Sequence, residues 1–203
     1  GTFDEGGTEP EEQSKVYWCN FTGNTAERGG GLFINGFTWV SASACVFDYN
    51  TALQHGGAIY ALTDYTRSLS VNQCTMVFNG AEHGGGIYSA GDYGFELAIT
   101  QSVFAFGTGG AAVQAEDYNT VSPAYCVSFG NVGGDNLEGR FNIVEDPLFC
   151  DVYAGDYNLC ENSGCRAPNN PWGFLIGSHR QYCDPCTSPV TRTTWGALKS
   201  MYR

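Results

Sequence analysis

One motif occurs three times in the first half of this chain, and that recurrence constrains the fold more than any other feature. Cys19-Asn-Phe-Thr-Gly-Asn24-Thr-Ala26 precedes Gly29-Gly30-Gly31-Leu32-Phe33; Cys45-Val-Phe-Asp-Tyr-Asn50-Thr-Ala52 precedes Gly56-Gly57-Ala58-Ile59-Tyr60; Cys74-Thr-Met-Val-Phe-Asn79-Gly-Ala81 precedes Gly84-Gly85-Gly86-Ile87-Tyr88. A degraded fourth copy runs from Ser102 and Phe104 to Gly109, Gly110, Ala111 and Ala112. Successive copies start 26, 29 and 28 residues apart, a period at which self-similarity means a solenoid. Each unit holds short pieces of alternating pattern, such as Leu69 with Val71 and Leu97 with Ile99, broken by Asn, Gly and Asp turns. No stretch of the repeats reads as a long amphipathic helix.

A unit of about 27 residues with two or three strands and no helix predicts one coil of a parallel β-helix, with coils stacked about 4.8 Å apart. Equivalent residues then form columns. Cys19, Cys45 and Cys74 are predicted to form an interior ladder of small buried thiols, with Phe21, Phe47 and Met76 stacked beside them. Asn24, Asn50 and Asn79 are predicted at a bend, where an amide side chain bonds the turn and the amides above and below it. The paired glycines suit a bend needing positive φ or close backbone approach.

At these residues the sequence resembles a known family. Phe-x-x-Asn followed by Gly-Gly-Ala/Gly-Ile/Leu is similar to the repeats of the chlamydial polymorphic outer-membrane proteins and related β-helix surface proteins. Phe21 to Asn24 and Phe47 to Asn50 match in full, Met76 to Asn79 replaces Phe by Met, and Phe104 to Gly107 lacks the Asn. The segment from Asn142 through Asp146-Pro-Leu-Phe149 to Gly155-Asp156-Tyr-Asn-Leu159 and Ser163 resembles the closing segment of many bacterial β-helix proteins. The resemblance spans residues 17 to 180 and implies an all-β, single right-handed parallel β-helix of the pectate-lyase-like kind. About five coils are expected, roughly 24 Å in length. An architecture shared by lyases, hydrolases, adhesins and scaffolds implies no particular activity.

Charge narrows the partners. Nine Lys and Arg against 21 Asp and Glu leave a net charge of −12, so the chain lacks the basic surface that nucleic acids or anionic membranes require. Polyuronates are disfavoured as substrates for the same reason. Within residues 17 to 125 only Arg28 and Arg67 are cationic, short of what a lyase of the pectate-lyase type would need. No apolar run reaches the roughly 18 residues of a membrane span. The expected location is extracellular or at a cell surface, after removal of a signal peptide.

Outside the coils, residues 1–15 form an acidic, Gly-rich segment expected to be flexible, and residues 16–146 carry the coils. Residues 147–190 read as a cysteine-rich, loop-built C-terminal cap, and residues 191–203 as a docking or sorting tail. If the ladder thiols stay reduced, Cys126, Cys150, Cys160, Cys165, Cys183 and Cys186 are the disulfide candidates, with 15 possible pairings. Cys183-Asp-Pro-Cys186 is a C-x-x-C motif, read as structural in the absence of a βαβ context. The tail around Trp195 also resembles termini of secreted proteins from uncultured bacteria, which implies an export or attachment address.

An acidic head and an apolar-basic tail suggest a head-to-tail joint between copies. Asp4 and Glu5 would act at one end, and Trp195, Leu198, Met201, Tyr202 and Arg203 at the other. An unclosed contact of that kind builds a filament. The predicted function is therefore a non-enzymatic structural protein forming a surface filament or sheath. The alternative is a secreted carbohydrate-binding or carbohydrate-cleaving module using outer aromatics such as Tyr49, Tyr65 and Tyr93, with acids drawn from Asp48, Asp64, Glu82, Asp92 and Glu96. His55 and His83, flanked by Arg28, Glu27, Gln54 and Glu82, form the best column for a metal or proton transfer, the plainer reading being stacked imidazoles at a bend. No residue is assigned a catalytic role and no cofactor is expected. Asp146, Asp151 and Asp156 are candidates for Ca²⁺, although loop acids more often bond turn amides.

Overall fold

The computed structural model describes residues 13–35, 39–62, 68–91, 95–117, 119–135, 137, 139–179 and 181–186. Its elements are almost all short strands. The first coil holds β1 (Gln13–Tyr17), β2 (Asn20–Thr22), β3 (Thr25–Arg28) and β4 (Leu32–Asn35); the second holds β5 (Trp39–Ser43), β6 (Val46–Asp48), β7 (Thr51–His55) and β8 (Ile59–Leu62). The third holds β9 (Ser68–Asn72), β10 (Thr75–Val77) and β11 (Ile87–Ala90), the fourth β12 (Glu96–Thr100), β13 (Val103–Ala105) and β14 (Val113–Ala115), and the fifth β15 (Thr120–Ala124) and β16 (Val127–Phe129). Bridges from Ala124 to Arg140 and from Val127 to Ile143 begin a sixth turn. The solenoid thus has one turn more than the repeat count predicts.

Every strand of these coils pairs in parallel with its equivalent one coil away. The order β1-β5-β9-β12-β15 makes one face, β2-β6-β10-β13-β16 a second, and β4-β8-β11-β14 a third. Registers hold like on like: Val40 pairs with Leu69, Leu69 with Leu97 and Leu97 with Val121. Phe21, Phe47, Met76, Phe104 and Ser128 pair in sequence along the second face. The Phe21 and Phe47 rings stack at 4.7 Å and 4°. These side chains point inward, and Phe47, Met76 and Phe104 are buried in the same apolar core as Leu69, Leu97, Ile59 and Ile87.

The asparagine column behaves as its spacing requires. Asn24 donates its backbone N–H and its Nδ2 to Asn50 Oδ1 at 3.1 and 2.9 Å, and Asn50 donates the same pair to Asn79 Oδ1 at 3.0 Å each. Asn50 Nδ2 also reaches Phe21 O at 2.7 Å, and Asn79 Nδ2 reaches Phe47 O at 2.8 Å. Gly107 breaks the column, but Asn131 resumes it by accepting from Gly107 N at 2.9 Å and donating to Phe104 O at 3.0 Å. Before each rung the chain adopts positive φ, at Gly23, Tyr49, Phe78, Phe106 and Gly130. The glycine pairs divide the work: Gly56 and Gly84 have φ of +66° and +59°, while a Cβ on Gly57 or Gly85 would strike the carbonyl oxygen of Gly85 or Gly109 in the next coil.

The thiol column is longer than the repeats suggest. Cys45 Sγ donates to Ser43 O at 3.3 Å and Cys74 Sγ to Ala42 O at 3.5 Å. Ser102 Oγ takes the same place with a bond to Thr100 O of 2.9 Å, and Cys126 Sγ follows with Ala124 O at 3.4 Å. Asn142 closes the column by accepting from Cys126 N at 2.9 Å. Cys126 is therefore a rung and not a disulfide partner, a correction to its place among the candidates. Cys165 is also free and is buried in the second apolar core, within the C-terminal segment. The disulfides are Cys150–Cys183 and Cys160–Cys186.

The C-terminal segment that carries both disulfides also covers a side of the rod. It contains β17 (Phe149–Asp151), β18 (Asp156–Cys160) and β19 (Tyr182–Cys183), and it runs back along the second face as a strap. Outward residues Val46, Val77, Val103, Ala105 and Val127 are buried against Phe149, Val152, Tyr157, Leu159 and Ile176 in a second apolar core. Polar anchors fix its register: Tyr157 Oη donates to Asp48 Oδ2 at 2.9 Å, Ser178 N and Oγ each lie 3.0 Å from Thr75 Oγ1, and Gly177 N donates to Gln101 O at 2.7 Å. Both sides of this face are covered, so its strands carry apolar residues on both sides, as sheets buried on two faces do.

Candidate functional site

Where the strap passes the first two coils it leaves a cleft of about 370 Å³, lined by Trp18, Asn20, Ala44, Val46, Asn158, Ser178, His179 and Gln181. Trp18 and Ala44 both have positive φ, at the bend preceding β2 and β6. That bend turns the Trp18 side chain outward, where it is 65% exposed. On the other wall His179 Nδ1 lies 3.0 Å from Ser178 Oγ and its ring meets Tyr157 edge-on at 5.9 Å. Burial holds His179 below the ordinary histidine range, with Asp156 acting weakly against it. An aromatic ring facing amides and hydroxyls, with no carboxylate in the lining, suits a neutral polar ligand. It lacks the acid pair that glycoside hydrolysis requires.

A second outer surface is built on the column before the glycines. Arg28 Nε donates to Gln54 Oε1 at 3.0 Å, and Gln54 Nε2 donates to Glu27 Oε1 at 3.0 Å. The His55 and His83 rings stack 5.3 Å apart, His55 lies 4.4 Å from the Tyr88 ring, and Tyr60 stacks on Tyr88 at 5.9 Å. Parallel pairing places His83 one coil from His55, which explains the stack without a ligand. Burial, then His83 and Arg28, hold His55 below the ordinary histidine range. Glu82 Oε1 is 3.8 Å from His83 Nε2, but no third ligand converges on the two imidazoles among the described residues.

Other residues singled out from the sequence are dispersed. Asp48 lies buried under the strap and bonded to Tyr157, remote from solvent chemistry. Asp146, Asp151 and Asp156 each accept from a nearby turn amide, at Leu148, Ala154 and Asn158. Tyr49 is exposed but stacks on Phe78 at 4.7 Å. Asp64, Tyr65, Asp92 and Tyr93 lie outside the described residues, as do Asp4, Glu5, Trp195, Leu198, Met201, Tyr202 and Arg203. The cleft was not foreseen, because Trp18 and His179 are 161 residues apart in the sequence. A signal did exist for Asn131: it follows Cys126 by five residues, the spacing of Cys45 to Asn50.

Residues 44–62 match the Chlamydia polymorphic membrane protein repeat. The match covers the second copy of the motif, from the positive-φ bend at Ala44 through the Cys45 and Asn50 rungs to the end of β8. Comparisons with curated proteins and with solved structures found no match. The chain is a β-helix repeat protein, similar in its repeats to that bacterial surface family. Among the described residues no helix is long and apolar enough to cross a membrane.

Proposed function

We propose that this chain is a non-enzymatic structural protein of a bacterial surface, a rigid β-helical protomer that self-associates head to tail into a filament or sheath. The observation that carries this reading is where the repeated residues go. The cysteine, asparagine and phenylalanine columns are all consumed by internal ladders, and among the described residues the outer acids and imidazoles do not converge on a reacting point. Such a rod presents strand edges at its first coil, where β1, β2 and β4 are the outermost strands of their sheets among the described residues, and unpaired edges favour strand addition. Export and the part played by residues 1–15 and 191–203 belong to the same proposal.

The cleft beside Trp18 favours a second reading, a secreted carbohydrate-binding module, because an exposed indole beside amides matches the polar rim and apolar face of a neutral sugar. Electron microscopy of the purified chain at neutral pH separates the two. Strings with an axial repeat near 29 Å, six coils at the usual spacing, are expected for self-association. Dispersed single particles at every concentration would reject it. A glycan array with the wild-type chain and Trp18→Ala would then test the second reading.

A further inference from the structure

The two disulfides are not separate staples. Cys150 lies on β17, Cys160 at the end of β18, Cys183 on β19 and Cys186 in the turn that follows. Cys183 Sγ, bonded to Cys150, is also 3.7 Å from Cys160 Sγ and 3.9 Å from Cys186 Sγ. The sulfurs of Cys150, Cys160 and Cys183 all lie within 4.8 Å of one another, the only group of three metal-ligating side chains that converges among the described residues. The pairing of Cys160 with Cys183 in adjacent parallel strands, and the C-x-x-C turn to Cys186, hold these groups on the backbone of the strap.

Four thiolates around a zinc ion at about 2.3 Å form a tetrahedron with sulfur–sulfur edges of about 3.8 Å. The contacts from Cys183 to Cys160 and Cys186 already have that length, and opening the two covalent bonds supplies the remaining separation. We propose that Cys150, Cys160, Cys183 and Cys186 form, in the reduced protein, a tetrathiolate site for one zinc ion. A dithiol reductant would deliver two electrons and two protons to each S–S bond, giving four thiols and two molecules of oxidised, cyclic disulfide reductant. Zn²⁺ would then displace four protons, one from each thiol, to give a dianionic centre. The same three strands stay cross-linked in either state, by sulfur–sulfur bonds under oxidising conditions and by metal under reducing ones.

The ladder thiols are poor competitors. Cys45, Cys74, Cys126 and Cys165 are buried, and among the described residues no second metal-ligating cluster lies near them. The test uses the full chain, reduced with dithiothreitol, freed of reductant without oxygen, and titrated with Co²⁺ and then Zn²⁺. The expected result is thiolate-to-cobalt charge transfer with tetrahedral ligand-field bands saturating at one equivalent, displaced by Zn²⁺. Native mass spectrometry should show one added zinc less four protons. Cys150→Ser/Cys183→Ser should lose the bands, while Cys19→Ser/Cys45→Ser should keep them. Reduced chain that retains its β-sheet circular dichroism but takes up no metal overturns the proposal, as does a zinc stoichiometry that follows the ladder cysteines. Should the Cys150→Ser/Cys183→Ser variant not fold, the mass of the reduced wild-type chain with Zn²⁺ decides alone: an unmetallated species also overturns it.

Discussion

At the scale of single residues, this chain spends its polar side chains on the backbone of its own bends. Asn50 satisfies the Phe21 carbonyl and the Asn24 N–H while itself hanging from Asn79, and it is fully buried. Asn50→Ala orphans those groups and should cost about 3 kcal/mol, read from the urea midpoint. Asn24, exposed at the start of the column, should cost under about 1 kcal/mol on the same change. Ala44 adopts φ +53°, a conformation that disfavours any Cβ. Ala44→Gly should therefore stabilise the chain by about 0.5 kcal/mol or more, net of the extra freedom glycine gives the unfolded state.

Within the thiol column Cys126 gives a pH dependence with a definite sign. Burial raises Cys126 from an unfolded value of 9.0 to about 11, so the folded state holds that proton where the unfolded state has lost it. Its contribution is fully present below pH 9 and falls away as pH rises from 9 towards 11. Cys74, raised by its bond to Cys45 and by burial, and Tyr157, raised by burial and by Asp48, act in the same direction, whereas Cys45, lowered by its bond to Cys74, acts against it. Cys126→Ser keeps a donor of the kind Ser102 already supplies. It should flatten the alkaline loss of stability by about one proton, measured as the slope of unfolding free energy against pH.

At the scale of elements, the strap is held by apolar contact and fixed in register by a few buried polar bonds. Ile176 is fully buried in the second core, and Ile176→Ala should cost about 2 to 5 kcal/mol. Asp48 has one oxygen bonded to Tyr157 and the other buried without a partner. Tyr157→Phe should therefore destabilise by about 2 kcal/mol by leaving the carboxylate unsatisfied. Asp48→Val/Tyr157→Phe should recover most of that loss, since apolar replacement of a buried polar pair is often neutral; a double-mutant cycle by thermal unfolding checks both. Reduction in the presence of a chelator should expose residues 147–186 to protease while the coils resist, because the covalent links join only β17, β18, β19 and the adjoining turn.

At the scale of the whole molecule, a stack of nearly equal coils derives its stability from neighbour contacts, and its ends are where that pattern stops. Deleting residues 191–203 should leave the β-sheet circular-dichroism signal intact and abolish association in sedimentation velocity. Unchanged association would remove the tail from the joint. His55→Gln/His83→Gln should leave both assembly and stability within about 0.5 kcal/mol of wild type, the range expected of surface changes without a structural role.

The coils were legible because a solenoid repeats its environment: the same bend, rung and inward position recur every coil, so Cys45, Asn50 and Phe47 announce their neighbours without any knowledge of distant contacts. The sequence by itself determined the parallel β-helix, the asparagine and thiol ladders and the two uses of paired glycine. Only the tertiary structure decided what covers the second face. Val46, Val77 and Val103 look like ordinary strand residues until Tyr157 and Ile176, 111 and 73 residues beyond Val46 and Val103, fold back over them. The cleft at Trp18 belongs to that same long-range event, while the four sulfurs meet through the strap's own pairing of β17, β18 and β19. Burial by a non-repeating segment leaves no period to read, and only the closure of that segment onto the rod brings Trp18 and His179 together.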